Sequence, residues 1–127
     1  MIEYTVRVYA DGDKHWLLNG KFHREDGPAI EFVDGSKFWY LGDKLHREDG
    51  PAVEYFSGAK EWYLNGNLHR EGGPAIEYAN GAKSWYLNGK RLTEDQFNEA
   101  MDSTKELTIS EIESMLGYKI KVVGERL

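Results

Sequence analysis

The fold is decided by one stretch of sequence, WYLGDKLHREDGPAVEYFSGAKE, which occupies residues 39–61 and returns every 23 residues along the chain. Its leading tryptophan occurs four times, and its central segment HRE(D/G)GPA occurs three times. The four tryptophans are Trp16, Trp39, Trp62 and Trp85. A fixed period of this length is typical of an array of small units that gain stability by stacking on one another.

Each unit carries two turn signals between segments that are rich in aromatic and β-branched residues. Pairs such as Asn65-Gly66 and Asp34-Gly35 supply the positive φ angles of two-residue hairpin turns. We therefore predict one β-hairpin per unit, with residues 45–50 as a return loop. Because Trp and Leu recur while the position before Trp varies, we expect Trp and Leu to face inward and Tyr to face outward.

The repeat stops after residue 92, and the composition of the chain changes there. Residues 93–127 hold 8 acidic and 4 basic side chains, against 14 and 12 in residues 1–92. Thr93 to Gln96 matches a capping box, and a second helix is predicted between Thr108 and Gly117. A closing strand is predicted over 118–123. The predicted fold is thus mainly β: an elongated antiparallel meander of tandem 23-residue hairpin repeats over 1–92, with a small acidic α/β cap over 93–127.

Composition excludes several classes of protein. The chain has no cysteine, which favours a cytoplasmic location, and its residues 1–9 alternate as a first strand does rather than as a secretory leader. The net charge of −6 argues against direct binding to nucleic acid or to an anionic membrane surface. No apolar run approaches the roughly 20 residues of a membrane helix.

The recurring His23, His46 and His69 are the obvious candidates for a metal site. Two strands per unit place equivalent residues about 10 Å apart, so three imidazoles cannot meet at one zinc ion. A catalytic His–Glu pair is conceivable, but three equal copies favour a structural role over a catalytic one. We predict no metal, no cofactor and no catalytic residue.

Two surfaces are candidates for binding a partner. Tyr and Arg recur with the period of the array, and aromatic and Arg side chains are enriched at protein interfaces. Alternatively, the tyrosines only cover the second face of a thin sheet. The acidic cap is the second candidate, although a solvated helical face is the commoner explanation of such a charge run. The candidate residues are Tyr40, Tyr63, Tyr86, Arg24, Arg47, Arg70, Glu94, Asp95 and Glu99.

The Tyr-Leu-Asn-Gly and Asp-Gly-Xaa-Lys elements, as in 63–66 and 34–37, resemble MORN repeats. The likeness is greater to the variant MORN-like repeats of bacterial, bacteriophage and large-virus proteins, which include a family described as antitoxins. It covers about residues 10–92. The His-Arg-Glu-Asp-Gly-Pro segment departs from the Gly-rich turn of ordinary MORN repeats, and this weighs against the lipid binding suggested for them.

The resemblance implies a scaffold or partner-binding role. A small acidic repeat protein of this kind also looks like a bacteriophage accessory protein, which implies inhibition of a host defence protein in the host cytoplasm. We therefore expect a non-enzymatic protein-binding module. The alternatives are an antitoxin-like partner binder and a protein that sequesters a small ligand between stacked units. Exposed hairpin edges predict self-association into a homo-oligomer.

Overall fold

The computed structural model describes residues 2–102, 108–117, 119 and 121. These residues form a mainly β structure of fourteen short strands in antiparallel sheets, followed by two short helices. The elements are β1 (Thr5–Val8), β2 (Lys14–Leu18), β3 (Lys21–Phe22), β4 (Ile30–Glu31), β5 (Lys37–Phe38), β6 (Tyr40–Leu41), β7 (Lys44–Leu45), β8 (Val53–Glu54), β9 (Lys60–Glu61), β10 (Tyr63–Leu64), β11 (Asn67–Leu68), β12 (Ile76–Glu77), β13 (Lys83–Leu87), β14 (Lys90–Leu92), α1 (Glu94–Met101) and α2 (Ile109–Leu116).

Each repeat contributes two hairpins rather than the single hairpin that we predicted. The first hairpins pair with one another through the order β1-β2-β4-β5-β8-β9-β12-β13. The second hairpins, such as β6–β7, form a row beside the first, and backbone hydrogen bonds such as Arg24 N–H to Tyr40 O at 3.1 Å link its neighbours. The return loop therefore begins at His46, because Lys44 and Leu45 extend the ladder. Each unit still holds an even number of strands, so the antiparallel meander is confirmed.

The two turns of a repeat differ in type. Asn65 and Gly66 both have positive φ, 50° and 84°, as a two-residue hairpin turn requires. In the other turn only Gly35 has positive φ, at 95°. Its N–H donates to the Phe32 carbonyl at 3.0 Å, and the Phe32 N–H donates to Ser36 at 2.9 Å. This turn is a three-residue loop closed by a left-handed glycine, which corrects the predicted two-residue turn.

The core lies on the face of the sheet that carries tyrosine. Ile76 pairs directly with Ser84 across the ladder, and Tyr86 lies two residues further along the same continuous strand. Directly opposed residues and alternate residues share a face, so Ile76 and Tyr86 face the same way. The counterparts of Ile76 in the other repeats, Ile30 and Val53, are also buried. The tryptophans and the tyrosines are alike half-buried, but Leu17, which stands at the Tyr position of the first repeat, is buried as Ile30 and Val53 are. The predicted inward face of Trp and outward face of Tyr is therefore wrong.

Both predicted helices are present in the C-terminal segment. Thr93 caps α1 through a capping box with Gln96, and Phe97 of α1 is buried where the helix packs on β13 and β14. Helix α2 begins after Thr108 and ends at Gly117, whose φ is 77°. The predicted strand over 118–123 lies outside the described residues. In the described part of the chain, neither helix is long and apolar enough to span a membrane.

Candidate functional site

A guanidinium group covers the indole ring in three of the four repeats. The Cζ atom of Arg47 lies 4.0 Å from the ring centroid of Trp39, within the range of a cation–π contact. The Nη1 atom of Arg47 also donates to the Pro51 carbonyl at 3.1 Å, which joins the two ends of the return loop. Arg24 on Trp16 and Arg70 on Trp62 repeat the stacking at 4.0 and 3.8 Å.

Carboxylates hold these guanidinium groups from the side, and the third repeat differs from the first two. Arg47 Nε donates to Asp49 at 2.9 Å, and the equivalent bond in the first loop is 3.1 Å. Gly72 stands at this position in the third loop. There Arg70 lies 2.7 Å from Glu77, whereas Arg47 lies 3.9 Å from the equivalent carboxylate. The guanidinium group that lacks an Asp partner is thus closer to its strand glutamate.

The histidine of each return loop joins one repeat to the next. The Nδ1 atom of His46 accepts the N–H of Asn65 at 2.9 Å, and the same bond at the same length runs from Gly42 to His23 and from Asn88 to His69. These bonds give the recurring histidines a structural task. No group of three or more His, Asp or Glu side chains that could hold a metal ion occurs among the described residues.

The same face carries a row of alternating charges beside the tryptophans. Lys37 is paired across the ladder with Glu31 on one side and with Glu54 on the other, and the alternation continues to Lys83. Opposite charges in direct register stabilise neighbouring strands by roughly 0.2–1 kcal/mol per pair. This row leaves little unpaired charge on the strands, so the exposed acidity of the face comes from the return loops.

Successive return loops form the walls of shallow grooves whose floor is Trp and Leu. The groove between the first two loops has a volume of about 480 Å³ and a floor of Trp39 and Leu41. The next groove, over Trp62 and Leu64, measures about 470 Å³. A third, beside β1, measures about 440 Å³ over Trp16. We call this side of the sheet the groove face.

The rims of the grooves are acidic. The side chains of Glu25, Asp26, Glu48, Asp49 and Glu71 are 73–88% exposed, whereas the stacked arginines are only 20–27% exposed. The first of the grooves described above has four carboxylates and two guanidinium groups in its lining, which gives a local excess of two negative charges. Each guanidinium group is already bound to its own loop, so the outward charge that a ligand meets is negative.

The candidate tyrosines lie on the opposite face, half-buried among apolar side chains. The ring of Tyr40 lies 5.3 Å from that of Phe22, and the hydroxyl of Tyr63 donates to Glu61 at 2.8 Å. Burial raises the pKa of Tyr63, and the hydrogen bond to the Glu61 carboxylate raises it further. Burial also raises the pKa of Tyr40 and Tyr55, with smaller contributions from Asp43 and Glu61 respectively.

The structure therefore divides the predicted binding residues among three places. Arg24, Arg47 and Arg70 lie on the groove face, and the three tyrosines lie on the core face, so they do not form one surface. Glu94, Asp95 and Glu99 are exposed on α1. The grooves themselves were missed, because we expected the tryptophans to be interior. The HRE(D/G)GP segment was the feature of the sequence that could have indicated the grooves. Its Arg lies in the loop that follows each Trp strand, and from there it can fold back onto that Trp.

No family model, no curated protein and no solved structure matches this chain.

Proposed function

We propose that this chain is a non-enzymatic binding module of MORN-like repeat type that holds an extended, basic protein segment along its groove face. The observation that carries the proposal is the repetition of the groove: an apolar Trp-Leu floor, a guanidinium group held against its own loop, and an exposed acidic rim. A Lys or Arg side chain has the matching chemistry, with an apolar stem and a cationic head.

The spacing of the grooves limits the backbone conformations in which a partner can place side chains in successive grooves. Two strands per repeat in each row place equivalent grooves about 10 Å apart. A polyproline II segment advances about 9.3 Å in its three-residue turn, so every third side chain points the same way at nearly this interval. A partner segment in this conformation, with a basic residue at every third position, places its cations in successive grooves.

Our proposal for the kind of protein that supplies the basic segment rests on the resemblance to phage and bacterial MORN-like proteins. In a bacteriophage accessory protein, the basic segment would belong to a host protein, and its occupation would block that protein's contacts with anionic partners. An antitoxin-like role would use the same contacts on a toxin. The His–Glu pair recurs in three equal copies, one in each return loop, and this supports binding rather than catalysis as the activity.

The test is calorimetric titration of the chain with a synthetic peptide that carries Arg at every third position, with Pro and Ala between. Replacing Glu25, Glu48 and Glu71 by Gln removes one rim charge from each return loop. We expect this variant to bind the peptide about tenfold more weakly, because three exposed ion pairs of about 0.2–1 kcal/mol each are lost.

A matched control changes the same amount of charge elsewhere. The triple variant Glu94→Gln, Asp95→Asn, Glu99→Gln removes three carboxylates from α1 and leaves the grooves intact. We expect it to bind the peptide as the unchanged chain does. Equal weakening in both variants would show that only net charge matters, and weakening in the α1 variant alone would assign the binding to the cap. Either result, or no binding at all, rejects the groove face.

The alternative function is sequestration of a small ligand, and the groove volumes favour it as a second candidate. Volumes of about 440–480 Å³ fall within the range of small-molecule sites. In that case agmatine, which carries a guanidinium group on a short apolar chain, would raise the melting temperature in its own concentration series. A peptide would then bind no more tightly than agmatine alone, because neighbouring grooves would act independently.

A further inference from the structure

Strand β1 forms one end of the sheet, and its outer edge is open among the described residues. Among the strands that the structure describes, it pairs with β2 alone. All four of its residues are exposed, and Val8 is 66% exposed. Val8 stands one period before Glu31, where each interior repeat has a glutamate in the Lys–Glu row. The open edge is therefore apolar at a position that is charged inside the array.

The backbone of this edge is ready to accept another strand. The N–H of Tyr9 donates to Asp13, in the turn that leads into β2, at 2.9 Å. In an antiparallel pair, every second residue bonds its N–H and C=O to the partner strand, and the residues between them direct these groups to the other side. Because Tyr9 bonds toward β2, the backbone N–H and C=O groups of Val8, Val6 and Tyr4 point away from β2, and we call these residues outward-bonding. The interior repeats agree, since the carbonyl of Ala29, one period after Val6, accepts the Trp16 N–H of the preceding unit at 2.7 Å.

The strand is also complementary to itself. From Ile2, three residues before β1, to Val8 at its end, the even positions are apolar and the odd positions are polar. Glu3 and Arg7 have opposite charges and lie two residues either side of Thr5. An antiparallel pairing centred on Thr5 therefore sets Glu3 of each strand opposite Arg7 of the other.

We infer that a second copy of this chain binds the open edge, with β1 pairing antiparallel to β1 about a two-fold axis at Thr5. In this register Tyr4 lies opposite Val6, and these outward-bonding residues exchange backbone hydrogen bonds. The Glu3–Arg7 pairs fall at the non-hydrogen-bonded positions, where Cα atoms are only about 4.5 Å apart and side chains are closest.

Neighbouring registers are less favourable. Moving the axis to Arg7 sets the two arginines opposite each other, and like charges in direct register destabilise a sheet. Moving it to Val6 sets Arg7 opposite Thr5 and leaves Glu3 without a cation across the interface. Only registers in which outward-bonding residues meet are available to the edge, so the charge pattern selects the Thr5-centred one.

The dimer would join the groove faces of the two copies. Val6 is paired with Trp16 and lines the groove beside β1 together with Tyr4, so the apolar even positions lie on the groove face. A two-fold axis perpendicular to the sheet keeps that face on the same side in both copies. The terminal grooves of the two copies would then lie side by side in one continuous array.

Sedimentation of charge-reversal variants at concentrations up to about 1 mM tests this inference. Glu3→Arg alone sets Arg opposite Arg twice, and Arg7→Glu alone sets Glu opposite Glu twice. We expect the dissociation constant of each variant with itself to rise about tenfold or more, since two favourable pairs become two repulsive ones. Circular dichroism checks that each variant remains folded.

Mixing the two variants in equal amounts provides the decisive comparison. In the heterodimer, the arginine introduced by Glu3→Arg in one copy faces the glutamate introduced by Arg7→Glu in the other. The native Arg7 of the first copy still faces the native Glu3 of the second, so both pairs are restored. We expect the mixture to dimerise as tightly as the unchanged chain. A monomeric unchanged chain, variants that dimerise normally, or a mixture that stays monomeric would each overturn the inference.

Discussion

Replacing Gly72 by Asp should stabilise the protein by restoring a contact that the third repeat lacks. The equivalent residues Asp26 and Asp49 accept from the Nε of their arginines at 3.1 and 2.9 Å. A Cβ atom added at Gly72 meets nothing within 4 Å, and its φ lies outside the left-handed region. The site therefore accepts a side chain without strain, and Arg70 is present to receive it.

The expected increase in the free energy of unfolding has two parts. Any residue other than glycine reduces the freedom of the unfolded chain, which stabilises by about 0.4–1 kcal/mol at a compatible site. The pairing with Arg70 adds only about 0.5 kcal/mol, because both existing Asp partners are more than 80% exposed and water screens the charges. Arg70 also binds Glu77 at 2.7 Å, and some of that contact is lost when the guanidinium group moves toward the new Asp.

The variant Gly72→Ala separates the two parts, since it supplies the backbone effect without the carboxylate. Urea unfolding followed by tryptophan fluorescence gives both free energies of unfolding. We expect the free energy of unfolding of Gly72→Ala to be larger than that of the unchanged chain, and that of Gly72→Asp to be larger still. The difference between the two variants should shrink in about 1 M salt, because salt screens the new ion pair. If Asp is no more stable than Ala at low salt, the carboxylate does not position the guanidinium group and our account of the return loop is wrong.

Two further predictions concern the two faces of the sheet. Gly50→Ala should destabilise by about 1–2 kcal/mol in urea unfolding, because its Cβ would lie 2.9 Å from Arg47 Cζ and displace the guanidinium group from its indole, whereas Gly72→Ala should not. A Gly50→Ala variant as stable as Gly72→Ala would contradict this. The raised pKa of Tyr63 implies stability that is complete below about pH 10 and is lost as the pH rises further. Tyr63→Phe, which also removes the bond to Glu61, should show a smaller loss of melting temperature between about pH 8 and pH 11 than the unchanged chain; an equal loss would show that another group titrates.

Much of the fold followed from local signals that act within one unit. The Asn-Gly turns, the capping box at Thr93 and the left-handed Gly117 each satisfy a backbone requirement through adjacent residues. The period of 23 residues then required an array, and a meander is the simplest array of hairpins. These features were predictable because each depends on a few residues close in sequence.

The two faces could not be assigned in the same way. Period-two alternation separates Trp from Tyr, but it does not say which set the core contains. That choice depends on contacts from outside the strands, such as those of the arginines that fold back from the loops over the indoles. A Trp covered by Arg satisfies the same sequence pattern as a Trp in the core, so only the path of the return loop distinguishes the two.

The contacts that shape each groove are also the contacts that stack the repeats. His46 accepts from Asn65 of the following unit, and the N–H of Arg47 donates to the Tyr63 carbonyl at 3.1 Å. A loop cannot move away from its groove without loosening the junction with its neighbour, so the interval between grooves is held at twice the strand spacing of the sheet. It follows that a partner is selected by the interval between its basic residues as much as by their charge. A peptide with the same number of arginines placed at irregular intervals should then bind more weakly than the regular one, although both carry equal charge.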